Sequence, residues 1–340
     1  MKWLVACVAA TLFLTSCSER ELTSASMVAE KPQRDRVRMS LPLSVAAGPA
    51  VIAHAEGFFA DEGIDFEIMR LDANSALLGV ASGSLDVFTN PVRSGIFNMI
   101  ARGTRIQIVA DGTHSTAGPC VPEGFTAPPA LARRVKAKGL RGQRLATIKG
   151  GSTEYLMTRL LASQGLTTAD VEMVEYPAGE SSTGEFRVLD AVRFNFEPSL
   201  TVQREKGLIE MVATAQDVAP GYQRIVIGFG KRLLDDDPEL GRRFMRGWLK
   251  GVRRYNEGKT EGNVSILSNF TQLPPDLIRK TCWPSISADG MINLDGVRHM
   301  LEWMHQAGYL ETEIPEAVWW NPDFAVTAAR ELGDESRAVE

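Results

Sequence analysis

The chain has 340 residues, 44% of them apolar and 23% charged, which is the balance of a globular protein, and its length favours two lobes over one. A net charge of -5, with signs mixed along the chain and no basic stripe interleaved with aromatics, argues against a nucleic-acid partner.

Met1-Lys2 precedes an apolar run from Trp3 to Leu14 that ends in Leu14-Thr15-Ser16-Cys17. The run is shorter than the roughly 20 apolar residues a membrane span needs, and its layout is that of a signal peptide. The small residues before the cysteine resemble a bacterial lipobox, which implies a signal peptide over 1–16, cleavage before Cys17 and lipidation of Cys17. Residues 17–36 are polar, without periodicity, and read as a flexible tether.

The apolar run Leu41–Ala47 reads as a strand that meets Gly48-Pro49. Val51, Ile52, Ala55, Phe58 and Phe59 then recur at helical spacing, and Pro49 suits a first helical turn. Ile64–Met69 alternate as a second strand, completing a strand–helix–strand unit whose strands should run parallel. A helix over Ala76–Val80 and a short strand over Leu85–Phe88 follow, then Asn90 as N-cap and Pro91 as first residue of another helix. Arg105–Ala110 is the next strand, stopped by Asp111-Gly112-Thr113. Prolines 119, 122, 128 and 129 argue against a long regular element over 115–130, read as a lobe crossing and surface loop.

The logic then repeats. Arg144–Ile148 reads as a strand, Lys149-Gly150-Gly151-Ser152-Thr153 as a glycine turn, Leu156–Leu161 as a helical stripe and Val171–Tyr176 as a strand. Leu189-Asp190-Ala191-Val192 leads to Asn195 and Glu197-Pro198 much as Leu85-Asp86-Val87 leads to Asn90-Pro91. Arg224–Phe229 is a strand returning to the first lobe. Helices follow over Leu240–Tyr255, Val264–Phe270, Pro275–Lys280 and Leu294–Ala307, and the last twenty residues or so are expected to be loosely held.

No metal or cofactor signature is present: the four histidines are scattered, and neither a Walker loop, a dinucleotide fingerprint nor a nucleophile elbow occurs. Cys120 and Cys282 could pair in an oxidising space, although two separately buried thiols are the expectation. The glycine turn is the best chemical feature. Its backbone can approach a ligand, and the following helix offers free N–H groups worth about 0.3–2 kcal/mol to an anion, while Glu154 in the same turn would oppose one. The cluster Arg193-Phe194-Asn195-Phe196-Glu197 is a second candidate at a strand end.

These motifs together resemble a known family. Ala55-Glu56-Gly57-Phe58-Phe59 with Glu62-Gly63-Ile64, Ala81-Ser82-Gly83-Ser84-Leu85-Asp86, Leu140-Arg141-Gly142, Gly150–Thr153, Leu161–Leu166 with Asp170-Val171, and Asp190-Ala191 with Glu197-Pro198 follow the order and spacing of ABC-importer solute-binding proteins. The family is the one that binds aliphatic sulfonates, taurine, nitrate and thiamine-pyrimidine precursors, and the match covers about residues 40 to 260. The resemblance implies an α/β, two-lobed periplasmic-binding-protein fold (type II), each lobe a doubly wound, mostly parallel sheet, hinged by two crossovers. Lobe 1 would comprise 37–113 plus 224–340, and lobe 2 would comprise 114–223.

By the same resemblance the cleft is lined by Ala47, Gly48, Thr89, Asn90, Thr113, His114, Gly151, Ser152, Thr153, Asn195 and Tyr222. The implied partners are a small polar or anionic solute and an inner-membrane ABC permease, with no cofactor, a lipid anchor at Cys17, a periplasmic location and a monomeric state. Phe186-Arg187-Val188-Leu189 and the proline-rich stretch Gly118–Pro129 depart from the family pattern. The cysteine-rich run of the fungal pyrimidine synthases in this family is absent, so that activity is not implied. Two other readings are an enzyme on the same scaffold, with His114 the nearest catalytic suspect, and a ligand sensor for a membrane signalling protein.

Overall fold

A computed structural model describes residues 34–175 and 190–338, with side chains to 333. The signal peptide, Cys17, nearly all of the tether and the Phe186–Leu189 departure lie outside the described residues.

Among the described residues, ten strands form two mixed sheets of five. The first contains β1 (Asp35–Ser40), β2 (Ile64–Met69), β3 (Val87–Pro91), β4 (Ile106–His114) and β10 (Gln223–Gly230), in the order β2-β1-β3-β10-β4. The second contains β5 (Glu123–Ala127), β6 (Arg144–Thr147), β7 (Glu172–Glu175), β8 (Val192–Phe196) and β9 (Glu210–Thr214), in the order β7-β6-β8-β5-β9. The plans are the same. In each, three parallel strands are followed by one that is antiparallel to both of its neighbours, β10 in the first sheet and β5 in the second. Each antiparallel strand is the first one the chain makes after leaving the other sheet.

The structure corrects several sequence expectations. The opening strand is Asp35–Ser40, not Leu41–Ala47, so the residues read as the end of the tether pair with β2, Asp35 opposite Ile64. Pro42 has no N–H to continue the ladder, and Val45–Ala47 instead form a 3-10 turn capped by Ser44, whose Oγ accepts from Ala46 N at 3.2 Å. Asn90 and Pro91 belong to β3, and the next helix starts at Ser94. The strand expected to stop at Asp111 runs on to His114: Thr113 lies opposite Ile225 and Asp111 opposite Val226, so Gly112 is skipped in the pairing with β10, and a Cβ there would run into Ile225. The proline-rich stretch contains β5, all five residues of it buried.

Helix Pro238–Asn256 is the spine of the first sheet's outer layer. Asp237 caps it, accepting from Leu240 N at 3.0 Å, and Leu240, Phe244, Trp248, Val252 and Tyr255 form its buried stripe. Gly251 backs directly onto the Pro49 carbonyl, which lets helix Gly48–Ala55 pack close against it. The C-terminal residues are not loose: helix Asp323–Ala338 buries Phe324, Ala325, Ala328 and Leu332 in the same cluster. A second apolar cluster runs from Phe88, Ile96 and Phe97 beside the first sheet to Phe125, Leu145 and Leu156 beside the second, with Val297, Met300 and Met304 of helix Leu294–Gln306 joining it.

Cys120 and Cys282 form a disulfide, with Cα atoms 5.3 Å apart, rather than two separate thiols. It ties the first crossing to the segment after helix Pro275–Lys280 and closes a loop of 162 residues in separation. Reduction, or Cys120→Ser, is expected to lower unfolding stability by roughly 2–4 kcal/mol, read as a fall in the guanidinium midpoint. A midpoint indifferent to reductant would contradict the bond.

Candidate functional site

The carboxyl ends of the parallel strands in both sheets face one cavity of about 470 Å³. The first sheet supplies Ser40–Ser44 and Ala46 after β1, Arg70–Ala73 after β2, Thr89, Pro91 and Arg93 from the end of β3, and Arg224 and Ile225 from the start of β10. The second supplies Ile148 and Gly151–Thr153 after β6, and Phe194 and Phe196 from β8. Loops beyond strand carboxyl ends are where open α/β sheets hold ligands.

Most of the wall is apolar, and its charged groups divide by what already neutralises them. Arg224 forms an ion pair with the buried Glu123 at 2.9 Å and lies over the Phe196 ring, 4.2 Å from its centroid. Burial pushes the Glu123 carboxyl up from its ordinary range, and Arg224 opposes that shift. Asp72 caps helix Ala73–Ser82, accepting from Asn74 N at 2.9 Å, Ser75 N at 3.1 Å and Ser75 Oγ at 2.5 Å, and these bonds, Ser75 first, hold it below the usual carboxylate range. Among the described residues Arg93 has no carboxylate in contact; burial works against its charge and Asp72 supports it through space. Among the described residues, the Ser40 and Thr89 hydroxyls are buried on the same wall without a hydrogen-bond partner. A half-buried cation, two unpartnered hydroxyls and the first turn of helix Ser152–Ala162 suit the charged end of an anion. Phe194, Phe196, Leu41, Leu43 and Ile148 suit an apolar body.

A family model described as NMT1/THI5 like matches residues 46–257. The chain belongs to that family. Its fold is that of periplasmic binding proteins: the periplasmic aliphatic sulphonate binding protein SsuA from Escherichia coli superposes with a TM-score of 0.63 at 13% identity, covering 86% of this chain and 93% of that one. The periplasmic nitrate-binding protein NrtA from Synechocystis PCC 6803 gives 0.66 at 15% identity, covering 88% and 90%. The ligand-binding component of an ABC-type import system from Staphylococcus aureus, solved with zinc bound, gives 0.70 at 13%, covering 87% and 100%. A search of curated protein sequences found no match.

Of the residues expected in the cleft, Thr89, Gly151, Ser152 and Thr153 stand on the cavity wall. The others lie behind or beside it. Ala47 is buried, and the Tyr255 ring occupies the space a Gly48 side chain would take. Asn90 is fully buried, its Nδ2 donating to Ala73 O at 2.8 Å. Asn195 accepts from Phe196 N at 3.0 Å and donates to Gln203 Oε1 at 3.3 Å. Tyr222 is buried with its hydroxyl beside Ser152, and burial pushes that hydroxyl's pKa far up. Thr113 is buried where Gln223 Nε2 reaches its carbonyl at 3.0 Å.

Strand parity explains the exchange of Asn195 for its neighbours: side chains alternate across a sheet, so Phe194 and Phe196 face the cavity while Asn195 faces away. Glu197, the last of that cluster, accepts from Thr201 N at 3.0 Å, Thr201 Oγ1 at 2.6 Å and Cys282 N at 3.1 Å, and serves structure. Arg93 had no sequence signal. Arg224 had one, a cation heading an otherwise apolar buried strand.

His114 also lies off the cavity wall. Its Nδ1 donates to Asp111 Oδ2 at 2.6 Å, and Asp111, fully buried, further accepts from Ser287 N at 2.8 Å and Gln223 Nε2 at 2.7 Å. Both sheet crossings leave from here, β4 ending at His114 and β10 starting at Gln223. The Asp111 bond raises His114 above its ordinary value of 6.5, against the pull of burial. A raised histidine contributes stability that is complete below 6.5 and is lost as pH rises through the folded value. His114→Gln should therefore cost most at pH 5.5 and progressively less toward pH 9, measured as the difference in guanidinium unfolding free energy from the parent at each pH.

Proposed function

We propose that the protein is the extracytoplasmic solute-binding subunit of an ABC uptake system, and that its solute is a small organic anion with an apolar or flat body. The observation that carries this reading is the placement of Arg93, Ser40 and Thr89 opposite Ser152, Phe194 and Phe196, so that one cavity draws its walls from both sheets. A ligand touching both walls favours the arrangement in which the lobes are closed, and capture is then a population shift toward it. The closed form presents the surface a permease reads. Family membership and the fold of sulphonate- and nitrate-binding neighbours support this role.

An extracytoplasmic site agrees with the Cys120–Cys282 disulfide, a bond that persists in oxidising compartments, and with the signal-like start of the sequence. Among the described residues no helix is long and apolar enough to cross a membrane. Attachment through lipidated Cys17 supplies the membrane link, and Cys17→Ser is expected to move the protein from the membrane fraction to the soluble periplasmic extract. His114, the residue an enzyme reading would turn to first, is engaged with Asp111 away from the cavity wall.

The test is thermal shift and solution scattering with alkanesulfonates, arylsulfonates, aromatic carboxylates, nitrate and neutral pyrimidines. An organic anion is expected to compact the protein and, at 100 times its dissociation constant, to add about 2.7 kcal/mol of stability. Arg93→Gln should weaken that anion roughly 10- to 100-fold, the effect of losing one charged hydrogen bond of about 1.5–3 kcal/mol. No binding by any anion, or binding unaffected by Arg93→Gln, would overturn the reading.

A further inference from the structure

Gly150 stands beside the cavity rather than on its wall, yet both its N–H and its carbonyl are engaged. Its N–H donates to Glu154 Oε2 at 2.7 Å, and its carbonyl accepts from Ser94 N at 3.1 Å and Ser94 Oγ at 3.1 Å. The adjacent residues, Arg93 and Gly151, form an antiparallel bridge. The turn after β6 is thereby joined by backbone to the turn after β3, across the space between the two sheets. Gly150 has a φ of +66°, and a Cβ there would come within 2.9 Å of Ser94 Oγ and 3.4 Å of the Tyr309 ring, so only glycine fits.

The other half of the contact comes from far along the chain. The Tyr309 hydroxyl donates to Glu154 Oε1 at 3.0 Å, so both carboxylate oxygens of Glu154 are occupied. Tyr309 is itself held by helix Ser94–Ala101, whose Asn98 Nδ2 donates to the Tyr309 carbonyl at 2.9 Å and whose Asn98 Oδ1 accepts from Glu311 N at 3.2 Å. The ring of Trp303 lies between Tyr155 and Tyr309, at 5.6 and 5.7 Å between centroids. The glutamate that the sequence suggests would repel an anion therefore points into this clasp.

We propose that Glu154 and Tyr309 are positioning residues for the solute cavity: they anchor the turn at the Gly150 N–H, so that the carbonyl of the same residue meets Ser94 and the backbone of Arg93 is fixed against Gly151. That they serve solute binding rests on the reading of the cavity given above; the clasp itself does not. Without the Tyr309 hydroxyl, Glu154 loses a charge-assisted bond and the Gly150 N–H loses a firmly held acceptor.

The test is residue-resolved amide hydrogen exchange on the solute-free protein, comparing the parent with Tyr309→Phe and Glu154→Gln. In both variants the Ser94 and Gly150 amides are expected to exchange at least tenfold faster, while core amides of β3 and β10 and the guanidinium midpoint stay at parental values. Unchanged rates at Ser94 and Gly150, or faster exchange spread uniformly over the chain, would overturn the proposal. Since no solute is present, the result stands apart from the solute panel: fast local exchange with no anion bound would retain the clasp and reject the cavity's assignment.

Discussion

Neither sheet is completed by the stretch of chain that builds the rest of it. The three parallel strands of each are joined to the fifth only through an antiparallel strand, β10 in one and β5 in the other, that has just arrived from the opposite sheet. The two arriving strands are bound to each other near their first residues by the Glu123–Arg224 ion pair. Both partners are nearly dry, so either one alone would leave a buried charge uncompensated, a far worse state than the pair. The crossings are thus chemically matched as well as topologically required, and the cavity forms where they place the strand ends together.

The same pair determines the charge the cavity offers. Glu123 neutralises Arg224, capping bonds occupy Asp72, and the clasp with Gly150 and Tyr309 occupies Glu154. Among the described residues, what stays on the wall without a carboxylate in contact is Arg70 and Arg93, and the Ser40 and Thr89 hydroxyls there have no hydrogen-bond partner. Under the proposed function, cations set among aromatic and aliphatic walls favour an anion with an apolar body, since a neutral body would leave the half-buried Arg93 with nothing to accept from it.

Sequence reasoning reached the architecture because it rests on signals of period and punctuation. The parallel strand–helix–strand units, the returning strand at Arg224–Phe229 and the long helix ending at Tyr255 were all legible in this way. Elements governed by tertiary contact were not. Asp35-Val37-Met39 alternates over too few residues to announce β1, and β5 lies among prolines that read as loop. The final helix carries few large apolar residues, chiefly Phe324 and Leu332, which join the cluster around helix Pro238–Asn256. The disulfide depends on two chain segments meeting, which spacing does not encode.

At the site the division is finer and follows one rule. The glycine turn was legible because its chemistry is local: Gly151, Ser152 and Thr153 reach the cavity through the turn they themselves make. Where exposure to the cavity depends on strand parity, a reading correct to the element is wrong to the residue, and Asn90 and Asn195 each stand one position from a wall residue, Thr89 or Pro91 in β3 and Phe194 or Phe196 in β8. Both asparagines occupy the same step of the shared sheet plan, turned away from the gap and hydrogen-bonded inside their own layer. The apparent repeat between Leu85–Pro91 and Leu189–Pro198 is therefore better understood as a repeat of scaffold than of binding groups. The two sheets need the same internal support, and they differ where they face the cavity: hydroxyl and cation on one side, phenyl rings and a helix start on the other.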